Sequence, residues 1–261
     1  MKIAAFNVKN LGRTKVRSRA VRTNLIKIVS RYSVVVMLEV KDRDGSAMNL
    51  FLEELNNYRG NIRRPFEMIC SEPLGRGAQK EKFVFFYRGT EVMKIRSLQY
   101  TERNEDELAR EPFIVEFLFP NTVVQKLVLI PVHSKPEDAE RELQALHGVV
   151  QHVRRIWRTD NIMILGDFNA SGPYLPPRRR EAVRMSLAPY HLLIGDGVDT
   201  TTSNSNAYTY DRIVAHGAET AAAVVPRSAK AFDFQRAYGL SEAKARAVSD
   251  HYPVEVELKK N

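Results

Sequence analysis

Apolar and polar residues follow one another along the chain in a pattern that switches repeatedly between the period of a strand and that of a helix. Ten segments rich in Val, Ile, Phe and Tyr are predicted strands. They are 3–8, 34–38, 66–71, 82–88, 92–98, 113–119, 126–132, 161–165, 211–216 and 253–258. Some segments, such as 127–130, are apolar at every position. This is typical of strands that are covered on both faces.

Apolar residues also recur at spacings of three and four, which predicts helices between the strands. The clearest helix follows Pro136, because Glu137 and Asp138 suit a first helical turn. The stripes are Val21, Leu25, Ile28 and Tyr32; Met48, Phe51, Leu52 and Leu55; and Leu143, Leu146, Val150, Val153 and Trp157. Strands with interspersed helices predict a layered α/β (α+β) fold. Since no repeat or linker divides the chain, one domain over 1–261 is expected.

Composition narrows the class of protein. The chain has 261 residues, 44% of them hydrophobic, and no apolar run long enough for a membrane span. A membrane-spanning protein and a disordered one are therefore excluded. The single cysteine, Cys70, excludes an internal disulfide framework and a cysteine-based zinc cluster. Forty Lys and Arg against 31 Asp and Glu give a net charge of +9, which favours polyanionic partners.

Polar side chains stand where several predicted strands begin or end. These residues are Asn7, Glu39, His133, Asp167, Asn169, Asp211, Asp250 and His251. Taken singly, a strand-end Asp or Asn is commonly a turn former or a helix cap, and His133 suits a core position. Glu39 is harder to explain in this way, because five apolar residues precede it and a buried acid needs a partner. Together they favour metal-dependent phosphodiester chemistry, which needs hard oxygen ligands held by rigid elements.

Eight segments carry a resemblance that runs nearly the length of the chain: 2–8, 38–42, 71–76, 109–112, 166–170, 199–201, 210–214 and 248–256. Together they resemble the deoxyribonuclease I family of the endonuclease/exonuclease/phosphatase superfamily. The resemblance implies a four-layer α/β/β/α sandwich of two packed mixed sheets flanked by helices, with the site at one end. It also implies a divalent-metal-dependent endonuclease that hydrolyses double-stranded DNA with low sequence specificity and leaves 5′-phosphate ends.

The same resemblance implies a role for each site residue. The catalytic residues would be His133 paired with Glu81, His251 paired with Asp211, and Asp167. A carboxylate behind an imidazole fixes its tautomer and raises its pKa, which suits proton transfer near neutral pH. Which imidazole is the base stays open. Glu39, Asp250, Asp167 and Asn7 would hold Mg²⁺ or Mn²⁺, and Asn169, Arg110, Lys41, Arg76 and Tyr174 would contact DNA.

The chain departs from the family pattern at several positions. Lys41 stands where Arg is usual, and Gln79 where a groove-packing Tyr is usual. Gly172 and Tyr208 replace a cysteine pair, so we expect looser loops there. Asp199 and Thr201 resemble a structural calcium loop that is one residue longer here, and Glu111 and Asp106 belong to a shortened second calcium loop. Ca²⁺ is nevertheless an expected cofactor.

Partners and location are also expectations. The partner implied is double-stranded DNA, with no membrane and a monomeric state. Segment 67–70 aligns with an actin-binding strand but lacks its aromatic residue, so actin binding is expected to be weak or absent. Secretion is a family-based expectation, although no signal peptide or disulfide pair is visible, and a cytoplasmic or nuclear form stays open. The one glycosylation sequon begins at Asn169, where a glycan would block the site.

Two basic segments and two other functions complete the predictions. Arg13, Lys15, Arg17 and Arg19 are predicted to add phosphate contacts from a loop. The run 178–180 is expected to be a solvated face, with a nuclear-targeting or DNA-backbone patch left open. The alternative functions are a phosphodiesterase with the same site acting on abasic-site DNA or a phospholipid headgroup, and a non-catalytic DNA-binding relative.

Overall fold

The computed structural model describes residues 1–77, 80–102, 106–205 and 207–261, and in these ranges the strands form two six-stranded sheets. The first sheet has the order β11 (Lys230–Ala231), β12 (Val254–Glu257), β1 (Lys2–Leu11), β2 (Val34–Val40), β4 (Lys82–Arg88) and β3 (Phe66–Cys70). The second has the order β5 (Met93–Gln99), β6 (Phe113–Leu118), β7 (Lys126–His133), β8 (Ile162–Asp167), β10 (Asp211–His216) and β9 (Tyr190–Leu192).

Helices flank both sheets. They are α1 (Arg13–Arg17), α2 (Arg19–Val29), α3 (Ser46–Asn57), α4 (Ala139–Trp157), α5 (Pro177–Glu181), α6 (Gly217–Ala222), α7 (Phe234–Ala237) and α8 (Glu242–Val248). Short 3-10 turns cover Pro136–Asp138 and Arg184–Ser186. Within the described ranges, no helix combines the length and the apolar character needed to cross a membrane.

Three apolar layers show that the architecture is the predicted four-layer sandwich. Successive residues of a strand point to opposite faces, and β2 illustrates the result: Val34 and Val36 face the layer between the sheets, while Val35 and Met37 face the helices. The second sheet repeats this division, with Leu129 of β7 facing inward and α4 covering the outer layer. Strands covered on both faces explain the fully apolar segments of the sequence.

All ten predicted strands are confirmed, with ends that differ by a few residues. The prediction missed β9 and β11, which are edge strands of three and two residues and too short to show a period. The three helical stripes correspond to α2, α3 and α4, except that α2 ends at Val29 and Tyr32 lies beyond it. Tyr32 is still buried, because its ring packs under the first sheet and its hydroxyl donates to Glu255.

Candidate active site

The strand order brings the predicted site residues to one edge of the two sheets. β1 and β2 run parallel, as do β7 and β8, so the carboxyl ends of each pair lie side by side. β10 runs antiparallel to β8, and therefore its first residue, Asp211, lies opposite Asp167 at the end of β8. β12 and β4 are likewise antiparallel to their neighbours β1 and β2. The segments that precede them, with His251 and Glu81, consequently reach the same edge.

Irregular backbone turns the side chains of β1 and β2 into the site. The pairing of β1 with β2 shifts register between Asn7 and Leu11, and Lys9 and Asn10 have φ values of 45° and 52°. Glu39 has a φ of 58° at the point where β2 shifts register against β4. Such bulges bend a strand and re-aim its side chains. The Glu39 carboxylate is thereby directed to the site, where it accepts hydrogen bonds from the Asn7 amide at 2.9 Å and the Asn10 N–H at 3.0 Å.

The first imidazole–carboxylate pair lies at the end of β7. Nδ1 of His133 is 2.5 Å from Oε1 of Glu81, and both side chains are buried. Arg110 ties the pair together, since its Nε lies 2.7 Å from the same Glu81 oxygen and its guanidinium donates to the His133 carbonyl at 3.2 Å. Burial alone would lower the pKa of His133, but the hydrogen bond and charge of Glu81 outweigh it and raise that pKa.

The second pair lies across the site. Nδ1 of His251 is 2.7 Å from Oδ2 of Asp211, a carboxylate with no exposed surface. Burial would lower the pKa of His251, whereas the charges of Asp211 and Asp167 and the hydrogen bond that His251 donates to Asp211 raise it. In both pairs the carboxylate holds the Nδ1 side of the ring, and this leaves Nε2 to face the centre of the site.

Both Nε2 atoms converge on one oxygen. Oδ2 of Asp167 lies 3.8 Å from Nε2 of His133 and 3.8 Å from Nε2 of His251. The same two nitrogens also lie near the other carboxylates. Nε2 of His133 is 3.6 Å from Glu39 Oε1, and Nε2 of His251 is 3.9 Å from Asp250 Oδ1. Three carboxylates and two imidazoles therefore share one centre, as the strand-end pattern predicts.

Asn7 and Asn169 form hydrogen bonds that hold the carboxylates and the loops of this centre in place. The amide nitrogen of Asn7 donates to Glu39 and, at 3.0 Å, to Asp167, while its oxygen accepts the Lys9 N–H at 2.9 Å. In this arrangement Asn7 bridges two carboxylates. The Asn169 side chain donates to the Ser134 carbonyl at 2.8 Å, and so joins the loop after β8 to the loop after β7.

The donor set fits a hard divalent cation. Glu39, Asp167 and Asp250 supply carboxylate oxygens, which Mg²⁺ and Mn²⁺ prefer. Asp167 and the pair Asp211–His251 also bring one ligand atom each to within 4.8 Å of one another. Asp211 is already engaged with His251, and therefore Glu39, Asp167 and Asp250 are the candidate oxygen donors to a cation.

The predicted DNA contacts lie at different distances from the centre. Tyr174 is 43% exposed and its ring lies 5.6 Å from that of Tyr210, which in turn is 6.2 Å from the His251 ring. Arg76 instead pairs with Asp106 at 2.8 Å and with Asp138 at 3.8 Å. Lys41 is half-buried and lines a cavity of about 530 Å³ with Arg43 and Lys82. Gln79 lies outside the described residues.

Two predictions about basic residues are wrong in part. Residues 13–17 form α1 and not a loop, and Lys15 points inward, where its ammonium donates to the carbonyls of Val8, Lys9 and Val248 at 2.6–2.8 Å. Three carbonyls satisfy all three donors of an ammonium group, so Lys15 is not free to contact phosphate. Arg13, Arg17 and Arg19 are exposed.

Arg180 is the second correction, because it is buried and not part of a solvated face. Its guanidinium donates to Asp196 at 2.5 Å and to the Ala170 carbonyl at 3.2 Å. Arg212, which is also buried, donates to the same two residues at 2.7 and 3.1 Å. The two arginines hold the loop that follows Asp167.

The loops with the predicted calcium residues and the missing cysteines are closed by other contacts. Asp199 accepts hydrogen bonds from the N–H and hydroxyl of Thr201 at 2.9 and 2.8 Å. The Tyr208 ring packs on Gly172 so closely that an added Cβ would lie 2.6 Å from it, and Gly172 has a φ of 55°. A tyrosine on a glycine thus fills the place of the cysteine pair.

Sequence reasoning missed three residues around the site. Lys9 pairs with Asp250 at 2.6 Å, a contact without a signal in the sequence because it depends on the bulge after Asn7. Glu142 is buried and accepts the Lys135 N–H at 2.9 Å. Its signal is a position on the apolar stripe of α4. Arg212 lies inside a buried strand, where a charged residue indicates an internal partner.

Comparison with known proteins gives a family match over most of the chain. A model described as "Endonuclease/Exonuclease/phosphatase family" matches residues 4–251. The chain is 42% identical over 265 residues to Deoxyribonuclease-1 of Mus musculus, a match that covers 100% of this chain and 92% of that protein. It is 42% identical over 261 residues to Deoxyribonuclease-1-like 1 of Sus scrofa, with 98% of this chain and 80% of that protein covered.

Solved structures share the fold. Humanized TDP2 of D. rerio, with 14 mutations, superposes with a TM-score of 0.64 at 16% identity, covering 98% of this chain and 97% of that chain. The endonuclease/exonuclease/phosphatase from Bacteroides vulgatus gives a TM-score of 0.63 at 14% identity, covering 99% and 98%. At such low identity the likeness concerns architecture alone.

Proposed function

Because the chain belongs to the deoxyribonuclease I family of the endonuclease/exonuclease/phosphatase superfamily, we propose that it is a deoxyribonuclease. Residues 1–261 act as one endonuclease domain that hydrolyses phosphodiester bonds of double-stranded DNA with low sequence specificity. The observation that carries the proposal is the convergence of two imidazole–carboxylate pairs on Asp167, each with its Nε2 atom 3.8 Å from the same oxygen.

The site residues have different roles in hydrolysis. Glu39, Asp167 and Asp250 would hold a divalent cation such as Mg²⁺ or Mn²⁺, which would supply electrostatic stabilisation of the phosphate charge. One imidazole accepts the proton of the attacking water while the other donates a proton to the leaving 3′-oxygen. The new bond joins the water oxygen to phosphorus and the bond to the 3′-oxygen breaks. The products are a 5′-phosphate and a 3′-hydroxyl.

The remaining residues bind and orient. Arg110 fixes the Glu81–His133 pair and is proposed to contact a phosphate, and Asn169 spans the loops after β7 and β8. Tyr174 offers an exposed ring beside the site, and Lys41 and the exposed Arg76 add positive charge. Phosphate contacts of this kind give affinity that falls with salt and depends little on sequence.

We also propose that the protein acts as a monomer and binds actin weakly or not at all. The segment that would pair with actin is β3, an edge strand, and it carries Glu67, Met68, Ile69 and Cys70 without an aromatic residue after Phe66. Ca²⁺ is proposed as a second cofactor, at the loop of Asp199 and Thr201, where hard oxygen atoms cluster.

The chemistry of the product ends tests the proposal. Supercoiled plasmid is nicked with Mg²⁺ and then treated with DNA ligase alone. Direct resealing is expected, because ligase requires a 5′-phosphate and a 3′-hydroxyl. Nicks that reseal only after end repair would contradict the cleavage mode. Parallel reactions with an abasic-site duplex and with phospholipid vesicles should show no preference over intact DNA, and no nicking with any ion would favour a non-catalytic DNA-binding protein.

A further inference from the structure

Lys9 places a positive charge against one of the carboxylates proposed to hold the divalent cation. Its ammonium nitrogen lies 2.6 Å from Oδ2 of Asp250, and the two side chains are 39% and 38% exposed. Asp250 uses its other oxygen to face Nε2 of His251 at 3.9 Å. The Lys9 ammonium therefore contacts a carboxylate oxygen that Asp250 would offer to a divalent cation.

The position of Lys9 is set by its backbone. Lys9 and Asn10 both have positive φ values, a conformation that costs free energy for residues other than glycine. Two contacts keep Lys9 there: its N–H donates to Asn7 Oδ1 at 2.9 Å, and its carbonyl accepts from the Lys15 ammonium at 2.8 Å. The bulge therefore directs the Lys9 side chain toward Asp250 and not along the strand.

The positive charge of this ammonium opposes the binding of a divalent cation to Asp250. Two cations that share one carboxylate repel each other at contact distance, where screening by salt is weak. A lysine side chain is flexible and can move aside without a change in the backbone. The ammonium that leaves Asp250 remains beside the site, where a phosphate is its natural counter-charge.

We propose that Lys9 is an internal competitor for the divalent cation at Asp250: its ammonium neutralises Asp250 in the free protein and weakens cation binding until it is displaced. The proposal rests on the metal dependence proposed above. It assigns to Lys9 a role in setting the cation affinity of the site, in addition to any contact with DNA.

Calorimetric titration of the DNA-free protein with Mn²⁺ tests the competition. Lys9→Met removes the charge and keeps the length, and we expect its Kd for Mn²⁺ to be about fivefold lower than that of the wild type, as for loss of a partly exposed ion pair. Lys9→Arg keeps the charge and should leave Kd within about twofold of the wild type. Lys94→Met, on the exposed edge strand β5, removes one charge elsewhere and should also change Kd by less than about twofold.

A Kd for Lys9→Met that equals or exceeds the wild-type value would overturn the proposal. The proposal would also be overturned if Lys9→Met lowered the Kd for Mn²⁺ by the same factor in a protein that already carries Asp250→Asn. The competition would then lie elsewhere. If Lys9→Met does not fold, as judged by circular dichroism, Lys9→Gln is measured in its place. Plasmid nicking separates the two proposals: nicking without a Lys9 effect on Kd refutes the competition alone, and a Lys9 effect without nicking refutes the nuclease alone.

Discussion

Each imidazole of the site is balanced between burial, which opposes a positive charge, and a carboxylate, which favours it. For His133 the carboxylate is that of Glu81. Burial would raise the pKa of Glu81, but His133 and Arg110 outweigh burial and lower it. For His251 the partner is Asp211, which is completely buried. Since the carboxylate prevails in both cases, each imidazole binds a proton more readily than an isolated imidazole does, and each faces the centre through Nε2.

His133→Ala and His251→Ala should each lower the turnover number by about 10²–10⁴-fold, as is typical for general acid–base groups. DNA affinity should change little, because neither ring is a predicted phosphate contact. Rates of plasmid nicking and the Kd for a DNA duplex without a divalent ion measure the two quantities. Parallel losses of rate and affinity would show that the histidines bind DNA and do not transfer protons.

Glu81→Gln should lower the pKa of His133. Without the carboxylate charge, burial and the nearby Arg110 both disfavour the imidazolium form, so the pKa should fall below the usual value of 6.5. Titration of the histidine ring signals by NMR measures the shift, and His251 serves as the internal control because it pairs with Asp211. A His133 pKa that stays above 6.5 would contradict the proposed cause.

At the scale of single residues, the sequence allowed prediction of those that end buried strands, such as Glu39 and Asp167. Their positions at the ends of strands follow from the period of the apolar residues, which is visible in the local sequence. It did not allow prediction of Lys9, Lys15 and Glu142, because their contacts depend on a bulge and on loops that come together only in the folded chain. Neither β9 nor β11 could be predicted, for the related reason that tertiary pairing alone defines them.

Among the elements, the loop after β8 depends on buried arginines. Arg180 from α5 and Arg212 from β10 both donate to the Ala170 carbonyl and share Asp196. These two arginines, together with the Tyr208 ring on Gly172, hold the segment that positions Asp167 and Asn169. The sequence shows that a cysteine pair is missing, but these replacements could be identified only in the structure.

Arg180→Met should lower the free energy of unfolding by about 1–3 kcal/mol. Removing one partner of a buried ion pair is costly, and the value is reduced here because Asp196 is half exposed. Arg178→Met, two residues earlier and exposed, should change it by less than about 0.5 kcal/mol. Urea unfolding of both variants measures these free energies. Equal losses for the two variants would contradict a buried role for Arg180 and would support the solvated face that the sequence predicts.

Glu142 on α4 should make stability depend on pH. Burial raises its pKa to about 7, although the N–H groups of Lys135 and Ala109 and the charge of Arg110 act in the opposite direction. Since the carboxyl is a weaker acid in the folded chain, it binds more protons there than in the unfolded chain between pH 4.5 and 7. Its contribution to stability is therefore present at low pH and is lost as the pH rises through about 7.

Comparison with Glu142→Gln isolates this effect from that of other groups. The free energy of unfolding of the wild type, relative to that of the variant, should decrease from pH 5 to pH 8. Urea titrations of both proteins at the two pH values provide the four energies required. A difference between the proteins that is the same at both pH values would show that Glu142 does not titrate in this range.

In the whole molecule, two sheets contribute to one site without any single element containing it. The first sheet supplies Glu39, Glu81 and Asp250 from its strands and adjoining loops, and the second supplies His133 and Asp167. The packing of the sheets on a common apolar layer therefore fixes the distances across the centre. The chain carries a net charge of +9, which favours a polyanionic substrate.

The central claim is that carboxylates and imidazoles from both sheets form one cation-dependent centre for DNA hydrolysis. The most direct test is relaxation of supercoiled plasmid by the wild type and Asp167→Ala with Mg²⁺, with Mn²⁺, with Ca²⁺ alone and with EDTA. We expect the wild type to nick DNA with Mg²⁺ or Mn²⁺, to be inactive in EDTA, and to lose this activity on substitution of Asp167. Equal nicking in EDTA, or full activity of Asp167→Ala, would contradict the account.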